Sequence, residues 1–487
     1  MGFFNFNRDT DLPLPSSPTP SYDKRYLEVV LNHWLNSEER KEQLLAEEYY
    51  AGKHAILTRQ RTMIGADGQL EVINNVPNNR LVDNQFKKLV DQKTNYVLGK
   101  PLTISTGDET YLELLDDIFN AQLHRKLRML SRHSVSGGIG WMYPYLDENG
   151  EFRIELFPAT EICAVWKDRL HTELDFAMRY YTADVYNPNG TISTVNYVDV
   201  YTRDGIFHYR HQGYSLIEEE NPHTYYLYAN EKAFNWQRLP IIPFKYNSDE
   251  TPLIRNVKTL QDALNQVLSD FQNNMEEDPR TTILVLKKYD GTNLADFRHN
   301  LATYGAIKVT TVDGVQGGVE TLRVEVNAQN YQAILMQLKR AVIENGRGFD
   351  AKEERMDGDP NQMNIQSMYT DIDLDVNAME TEYQAGFEEL KWFIDMYLQQ
   401  QGKGDFTKEK VEFVFNRDIF INEDSMIQNC VASSGIISNK TIIARHPWVT
   451  NLERELAQIE EDKQAELDEM EAINAFQKPQ NNKPTPQ

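Results

Sequence analysis

The spacing of hydrophobic residues predicts one long helix in the second half of the chain. From residue 365 to residue 397, apolar side chains recur every three or four positions without an intervening proline. This is the period of an amphipathic α-helix. The flanking residues predict that the helix begins with Asp359 as N-cap and Pro360 at the first helical position, and that it ends near Gly402.

Shorter helical patterns lie on both sides of a β-rich region. Between residues 139 and 246, aromatic and polar residues alternate around turns such as Asn149–Gly150, as is typical of antiparallel strands. Helices are predicted at about 23–50, at 81–98 with Val82 on the apolar face, twice between 109 and 135, and from 252 with Leu253, Val257, Leu260, Leu264, Val267 and Phe271 on one face.

A small insert interrupts the helices after residue 280. Residues 281–326 contain the strand patterns TTILVLKK, AIKVTT and TLRVEV and a short helical pattern near 292–303. A helix with Tyr331, Ile334, Leu338 and Val342 on one face leads back from the insert. The charged, glycine-rich stretch NGRGFDAKEERMDGDP follows, then the long helix, a strand near 411–415 and an acidic helical end. Two helices that flank a small insert predict a stalk.

The acids within the long helix raise the question of a calcium site. DIDLDVNAMETE, residues 371–382, has acids at the first, third, fifth and twelfth positions of an EF-hand loop. The sixth position, which requires glycine, is Val376. We therefore expect a continuous helix with Asp371, Asp373 and Asp375 on a solvated face.

Composition and charge limit the classes of protein. The 487 residues are 40% hydrophobic, which is enough for a real core, and carry a formal net charge of −24. Such a charge argues against a broad basic face that clamps nucleic acid. Cys163 and Cys430 lack metal-ligand spacing, which favours a reducing compartment. No apolar run is long enough for a membrane span, and no signal peptide is recognisable at the N-terminus.

Candidate catalytic and ligand-binding motifs are weak. SGGIG at 136–140 lacks the ending of a phosphate-binding loop, and a hairpin pattern follows it. His208 and His211 have metal-like spacing, but on a strand they point to opposite faces and are expected to be solvated. Thr450 or Asn451 is expected to cap the last helix. Trp448, just before it, is expected to pack against the crown, either as a hydrophobic staple or as an ordinary buried tryptophan. We therefore expect no enzyme, no cofactor and no metal.

Several separate segments resemble one known family. These are NNRLVDNQFKKLVDQKTNYVLGKP (78–101), GGIGWMYPYLDENGEFRIELFPATEICAVW (137–166), LPIIPFKYNSDETPLIRNVKTLQDALNQVLSDFQNNMEE (239–277) and SGIISNKTIIARHPWVTNLERELAQIEEDK (434–463). In this order they resemble the portal proteins of tailed bacteriophages, in the siphovirus-like group that infects Gram-positive hosts.

The resemblance implies an α+β, multi-domain, ring-forming subunit with a mixed wing, a two-helix stem, a small αβ clip, a long kinked wing helix and a helical crown. Placed on this sequence, the implied parts are a flexible arm (1–22), wing (23–250), first stem helix (251–278), clip (279–326), second stem helix (327–345), tunnel loop (346–360), long wing helix and strand (361–422), crown (423–473) and flexible tail (474–487).

The family's function implies where this chain acts and with what. It would form a ring of about twelve subunits at one capsid vertex, assembled in the host cytoplasm, through which a terminase motor packages double-stranded DNA that later leaves. Its other partners would be an adaptor or head-completion protein and the major capsid and scaffolding proteins. The expected tunnel-loop residues are Arg347, Lys352, Glu353, Glu354, Arg355 and Met356, and the expected clip docking residues are Lys287, Lys288 and Arg298. Another oligomeric virion connector and a DNA-processing enzyme remain the alternatives.

Overall fold

Helices and antiparallel sheets alternate along the chain, so the expected α+β class is confirmed. The structure, a computed structural model, describes residues 23–64, 68–72, 76–187, 190–229, 232–277, 283–287, 318–322, 328–350, 362–417, 423–449 and 452–476. The chain divides into two compact units. We call Met1–Phe349 with Asp371–Asp418 the body, and Asp350–Thr370 with Ile419–Gln487 the C-terminal unit.

The helices begin and end largely where the apolar period predicts. In chain order they are α1 Lys24–Leu35, α2 Glu38–Tyr50, α3 Gln85–Leu98, α4 Glu109–Ile118, α5 Ala121–Gly137, α6 Ile254–Glu277, α7 Ala328–Asn345, α8 Gln362–Gln400, α9 Glu423–Ala432, α10 Asn439–Arg445 and α11 Leu452–Phe476. The expected N-cap of the long helix, Asp359, lies outside the described residues. Residues 371–382 are helical, as expected, and form no calcium loop.

The strands pair into antiparallel sheets. In chain order they are β1 Thr62–Ile64, β2 Leu70–Val72, β3 Thr103–Thr106, β4 Ile139–Leu146, β5 Phe152–Pro158, β6 Ile162–Trp166, β7 Leu174–Tyr186, β8 Ile192–Thr202, β9 Gly205–Gln212, β10 Ser215–Thr224, β11 Leu227–Ala229, β12 Lys232–Phe234, β13 Ile242–Lys245, β14 Ile283–Lys287, β15 Gly318–Leu322 and β16 Val411–Val414. The larger sheets have the orders β10-β9-β8-β7-β6 and β13-β4-β5, and two-stranded pairs join β1 with β2, β11 with β12, β14 with β15, and β3 with β16.

Two hydrophobic layers hold the body together. On the five-stranded sheet, α1 buries Leu27, Val30 and Leu31 against strand residues that include Phe176 and Val198. On the three-stranded sheet, the apolar stripe of α8 is buried as its period predicts. Phe244 of β13 lies 5.2 Å from the rings of both Tyr383 and Phe387. The Cα of Gly386 faces this ring so closely that an added Cβ would lie 2.9 Å from it.

Two predicted helix boundaries are wrong. The pattern at 23–50 is two helices, because Ser37 accepts a hydrogen bond from the backbone N–H of Arg40 (3.2 Å) and begins a new helix. The helix predicted from residue 81 begins at Gln85, where Asn84 caps it by accepting from the N–H of Lys87 (2.8 Å). Val82 therefore precedes the helix.

The glycines of SGGIG end a helix and begin a strand. Gly138 follows α5 with a φ of +83°, and its carbonyl accepts from the N–H of Tyr246 (2.9 Å). A Cβ at Gly138 would lie 2.0 Å from the carbonyl oxygen of Glu250. These glycines thus allow a turn and a close approach of two backbones, and β4 follows them, as expected.

The C-terminal unit is helical in its described residues, as the sequence predicts. The expected packing of Trp448 is wrong: this side chain is 71% exposed, and its ring stands 5.3 Å from that of His446. The expected caps of the last helix, Thr450 and Asn451, lie outside the described residues. An apolar side chain beside a helix start was not enough to predict burial.

Candidate functional site

Two helices and a strand pair form a hairpin at the expected position of the stem and insert. The helices α6 and α7 pack together, with the rings of Phe271 and Tyr331 5.1 Å apart and Asn274 Nδ2 donating to Tyr331 Oη (2.8 Å). Between them, β14 pairs with β15 from Ile283 opposite Leu322 to Lys287 opposite Gly318. The other two expected docking residues, Lys288 and Arg298, lie outside the described residues.

A line of buried polar side chains fixes α6 to the body. Gln261, Asn265, Ser269 and Asn273 recur every fourth position and are almost fully buried. Each accepts hydrogen bonds from backbone N–H groups of the segment at 79–86. The donors are Asn79 to Asn273 (2.7 Å), Leu81 to Ser269 (2.9 Å), Asp83 to Asn265 (3.0 Å), and Gln85 and Phe86 to Gln261 (both 3.0 Å). We call this arrangement the polar ladder.

The polar ladder explains why the apolar spacing predicted the buried face of α6 only in part. Of the predicted apolar face, Leu253, Val257 and Leu264 are fully buried, whereas the other members are partly exposed. In the second half of the helix the buried line is polar, because it satisfies backbone donors that have no neighbouring strand. A run of Gln, Asn, Ser and Asn at intervals of four was the signal in the sequence that could have revealed it.

Asn265→Ala is expected to lower the free energy of unfolding by about 1–3 kcal/mol, because it leaves buried hydrogen-bonding groups unpaired. Those groups are the N–H of Asp83 and the Nδ1 atom of His54, which accepts from Asn265 Nδ2 (2.9 Å). Urea unfolding followed by circular dichroism measures the change. Gln272→Ala is the matched control, since this exposed side chain on the same helix contacts Glu276. Equal effects of the two substitutions would contradict the ladder's contribution.

The segment after α7 turns sharply and is held on α3. Arg347 has a φ of +48°, and a Cβ on either adjacent glycine would come within 2.5 Å of Leu89 side-chain carbons. The side-chain amide of Gln92 bonds Phe349 twice, accepting from its N–H (3.1 Å) and donating to its carbonyl (2.8 Å). Residues 346–349 therefore form a fixed root for the chain that follows.

A buried ion pair lies beneath this root. Lys93 of α3 is fully buried, and its Nζ lies 2.6 Å from Asp375 Oδ2 of α8 and 3.0 Å from the carbonyl oxygen of Arg347. Tyr246 Oη donates to the same carboxylate oxygen (2.5 Å), and Arg347 Nη1 lies 3.4 Å from Asp375 Oδ1. Burial lowers the pKa of Lys93, opposed by the charge of Asp375, and burial also raises the pKa of Tyr246.

A second set of charges lies next to the first. Arg417 Nη1 donates to Asp373 Oδ1 (2.7 Å), and its Nε and Nη2 atoms donate to the two carboxylate oxygens of Glu380 (3.0 and 2.9 Å). Tyr96 of α3 also donates to Asp373 Oδ1 (2.6 Å). Hydrogen bonding to Glu380 is the main reason why the pKa of Arg417 is raised, and burial raises the pKa of Tyr96.

The expected solvated acidic face of α8 is therefore wrong for two of its three aspartates. Asp371 is exposed, but Asp373 and Asp375 are partly buried and paired with basic residues. The apolar period correctly placed these acids off the hydrophobic stripe. It could not show that α3 and Arg417, rather than water, lie on that side. We call Lys93, Arg347, Asp373, Asp375, Glu380 and Arg417 the charged clasp.

Of the expected tunnel-loop residues, the structure describes only Arg347. Its side chain is 61% exposed, and its guanidinium reaches Asp375 from the root of the loop. Lys352, Glu353, Glu354, Arg355 and Met356 lie outside the described residues. Their role stays a prediction.

The other candidate residues form local contacts. His208 is half-buried rather than solvated, with Nδ1 2.6 Å from Asp199 Oδ1 and Nε2 2.9 Å from Thr224 Oγ1. His211 is also half-buried, and burial lowers its pKa. In the described ranges, no group of three or more His, Cys, Asp or Glu side chains is arranged to hold a metal ion. No helix in the described part of the chain is both long and apolar enough to cross a bilayer.

A broad groove of about 980 Å³ lies beside α8 in the body. Arg238 stacks over Trp392 at its wall, 4.7 Å from the ring centroid. Burial raises the pKa of the nearby Glu389 to about 7. The lining mixes acidic, basic and aromatic side chains, and the geometry does not select one ligand class.

Comparison with known proteins defines the class of this chain. The family model described as "Phage portal protein, SPP1 Gp6-like" matches residues 30–469. Since this match covers most of the sequence, the chain belongs to that family of phage portal proteins, and the resemblance found in the sequence is confirmed.

Individual relatives agree with this assignment. The portal protein of Bacillus phage SPP1 is 33% identical over 422 residues, which cover 85% of this chain and 82% of that protein. The portal protein of Clostridium phage phiCD119 is 26% identical over 426 residues, covering 85% of this chain and 91% of that protein. A chain from the neck of a gene transfer agent particle is 13% identical and covers 75% of this chain and 89% of its own length, with a TM-score of 0.35, a similarity too low to compare the folds.

Proposed function

We propose that this portal protein assembles into a closed ring of about twelve copies at one capsid vertex of the virion, after synthesis in the host cytoplasm. Double-stranded DNA would pass through the ring during packaging by the terminase motor and again during ejection. The role is structural rather than enzymatic. Membership of the portal family supports the proposal, and the surface of the α6–α7 hairpin is the observation that carries ring formation.

The hairpin exposes large apolar side chains that the single chain does not cover. On α7, Ile334 is 46% exposed and Met336 is 67% exposed, and on α6 Met275 is 48% exposed. Exposed apolar side chains on both helices favour burial against a partner. Burial against the same hairpin of neighbouring copies, repeated around an axis, would close a ring.

Ile334→Glu combined with Met336→Glu is expected to prevent ring closure, because charges would then replace apolar contacts between copies. Size-exclusion chromatography with light scattering measures the mass. A ring of about twelve subunits of 56.6 kDa has a mass of about 0.7 MDa, and the variant should elute as far smaller species. Leu170→Glu is the control, since Leu170 is 80% exposed and lies outside the hairpin. A full-size ring of the double variant contradicts this interface.

The parts of the subunit would take the roles implied by their order along the chain. We assign α6 and α7 to the stem, with the segment between them as the clip. Residues 23–250 and the long helix would form the wing, with a kink in that helix, and the C-terminal helices would form the crown. Lys287, Lys288 and Arg298 of the clip would contact the terminase large subunit and later an adaptor protein, and outer surfaces would meet the major capsid and scaffolding proteins.

Residues 346–360 would form the tunnel loop, with residues 346–349 as its root. The loop carries Lys352 and Arg355 among Glu353, Glu354 and further acids. Such mixed charge suits weak contact with DNA, because every unopposed basic contact adds salt-dependent affinity.

Glu353→Lys combined with Glu354→Lys is expected to leave the ring intact and to slow DNA packaging, because added basic contacts hold the phosphates. The slowing should be greater at low salt than at high salt. An in vitro packaging assay with the terminase, run at two salt concentrations, measures the rate. Glu148→Lys on the exposed β4–β5 turn is the control for added charge alone. A packaging rate equal to wild type at both salt concentrations contradicts the loop assignment.

A further inference from the structure

The chain passes three times between the body and the C-terminal unit. The crossings follow Phe349, precede Asp371 and follow Asp418. On the body side, each crossing lies within a few residues of a member of the charged clasp. Arg347 stands before the first crossing, Asp373 after the second, and Arg417 before the third.

All three body-side segments are tied to one face of α3. Lys93 and Tyr96 are three residues apart and therefore lie on the same side of that helix. Lys93 bonds the carbonyl of Arg347 and the carboxylate of Asp375, while Tyr96 bonds Asp373, which in turn holds Arg417. The root at 346–349 and the segment that ends at Arg417 are thus both held by α3.

The geometry of α8 makes the two ties interdependent. Residues two apart on an α-helix differ by about 200° around its axis. Asp373 and Asp375 therefore reach their partners from different sides of the helix, one toward Arg417 and the other toward Arg347. A rotation or shift of α8 that lengthens one contact also changes the other.

We infer that the charged clasp couples the root at 346–349 to the segment that ends at Arg417, so that loosening either one loosens the other. The contact of Arg347 with Asp375 is the weaker link, because the Arg347 side chain is 61% exposed, whereas the buried pair of Lys93 and Asp375 holds the centre. The coupling belongs to the body of a single chain, so it does not depend on ring formation or on the role of the loop.

Hydrogen exchange of the full-length protein, followed by mass spectrometry, tests the coupling. Residues 346–349 are suitable reporters because each of their N–H groups donates a hydrogen bond, to Val342, Glu344, Ile343 and Gln92 in turn. Arg417→Lys keeps the charge but loses the forked pairing, and Glu380→Gln removes its partner without touching Asp373. Both substitutions are expected to speed exchange at 346–349 roughly threefold to thirtyfold, the usual range for coupled sites.

The reciprocal substitution and a control complete the test. Arg347→Met is expected to speed exchange in β16, which ends three residues before Arg417, because coupling acts equally in both directions. Arg153→Met breaks a surface pair with Asp147 in the β4–β5 hairpin and should change exchange only there. Exchange at 346–349 that equals wild type in both Arg417→Lys and Glu380→Gln overturns the inference. If Arg417→Lys or Glu380→Gln speeds exchange in the β4–β5 hairpin as much as at 346–349, the cause is a global loss of stability. That result also overturns the inference.

Discussion

Lys93→Met is expected to lower the free energy of unfolding by about 3–5 kcal/mol, because removing one partner of a buried ion pair leaves the other charge uncompensated. Among the described residues, Asp375 would keep the hydroxyl of Tyr246 and the more distant Arg347. Urea unfolding of the purified protein at neutral pH measures the loss. Since the pair lies within one chain, the loss should appear whether or not rings have formed.

Two further variants show whether burial of the pair is the cause. Lys93→Met combined with Asp375→Asn removes both charges and should recover part of the stability, because no buried ion is left unpaired. Lys41→Met breaks a surface pair with Glu38 at 2.7 Å, where both side chains are exposed, and should cost less than about 1 kcal/mol. If Lys93→Met and Lys41→Met were equally stable, the ion pair would not anchor α3 to α8.

Gly138→Ala is expected to destabilise the protein by about 3–5 kcal/mol, from left-handed backbone strain together with overpacking. The added Cβ would lie 2.0 Å from the Glu250 carbonyl oxygen and 3.0 Å from the Pro252 nitrogen. Both neighbours are backbone atoms, so no side-chain rotation relieves the contact. The measurement is the thermal midpoint and the urea midpoint of unfolding.

Gly150→Ala separates strain from crowding. Gly150 has a φ of +76°, close to the +83° of Gly138, but beyond its chain neighbours no atom of the described residues lies within 4 Å of its added Cβ. Its substitution should cost only the strain of a left-handed alanine, about 1–2 kcal/mol. If Gly138→Ala lowers the free energy of unfolding no more than Gly150→Ala does, the close approach of α5 to the Glu250 segment does not contribute to stability.

The sequence predicts most elements of this fold because their burial is periodic. The apolar positions of α8 from Ile372 to Phe393 are buried as spaced, and the aromatic alternation around Asn149–Gly150 gives the β4–β5 hairpin. Such patterns depend on one buried face of one element, so they can be read without knowing the neighbours. Helix ends were less well predicted, since Asn84 and Ser37 could only be recognised as caps once the helices were known.

The candidate site was harder to predict because its contacts join residues far apart in sequence. Asp375 and Lys93 are 282 residues apart, and Asn265 and Asp83 are 182 residues apart. An acid off the apolar stripe of α8 has the same pattern whether water or a buried lysine faces it. Trp448 is the opposite case: the sequence pattern predicted burial beside a helix start, but the side chain is exposed in the single chain.

The polar ladder matches two different repeat lengths. Two residues of extended chain rise about 6.6 Å, whereas four residues of α-helix rise about 6.0 Å. If residues 79–83 rose as an extended chain, the mismatch would be about 0.6 Å per step, or about 1 Å from Asn79 to Asp83; at Gln85 the segment has already entered α3. Side chains of unequal length, from serine to glutamine, can absorb that difference. The next donor in the series would be residue 77, but this residue is a proline and has no N–H group. The polar ladder therefore ends at Asn79.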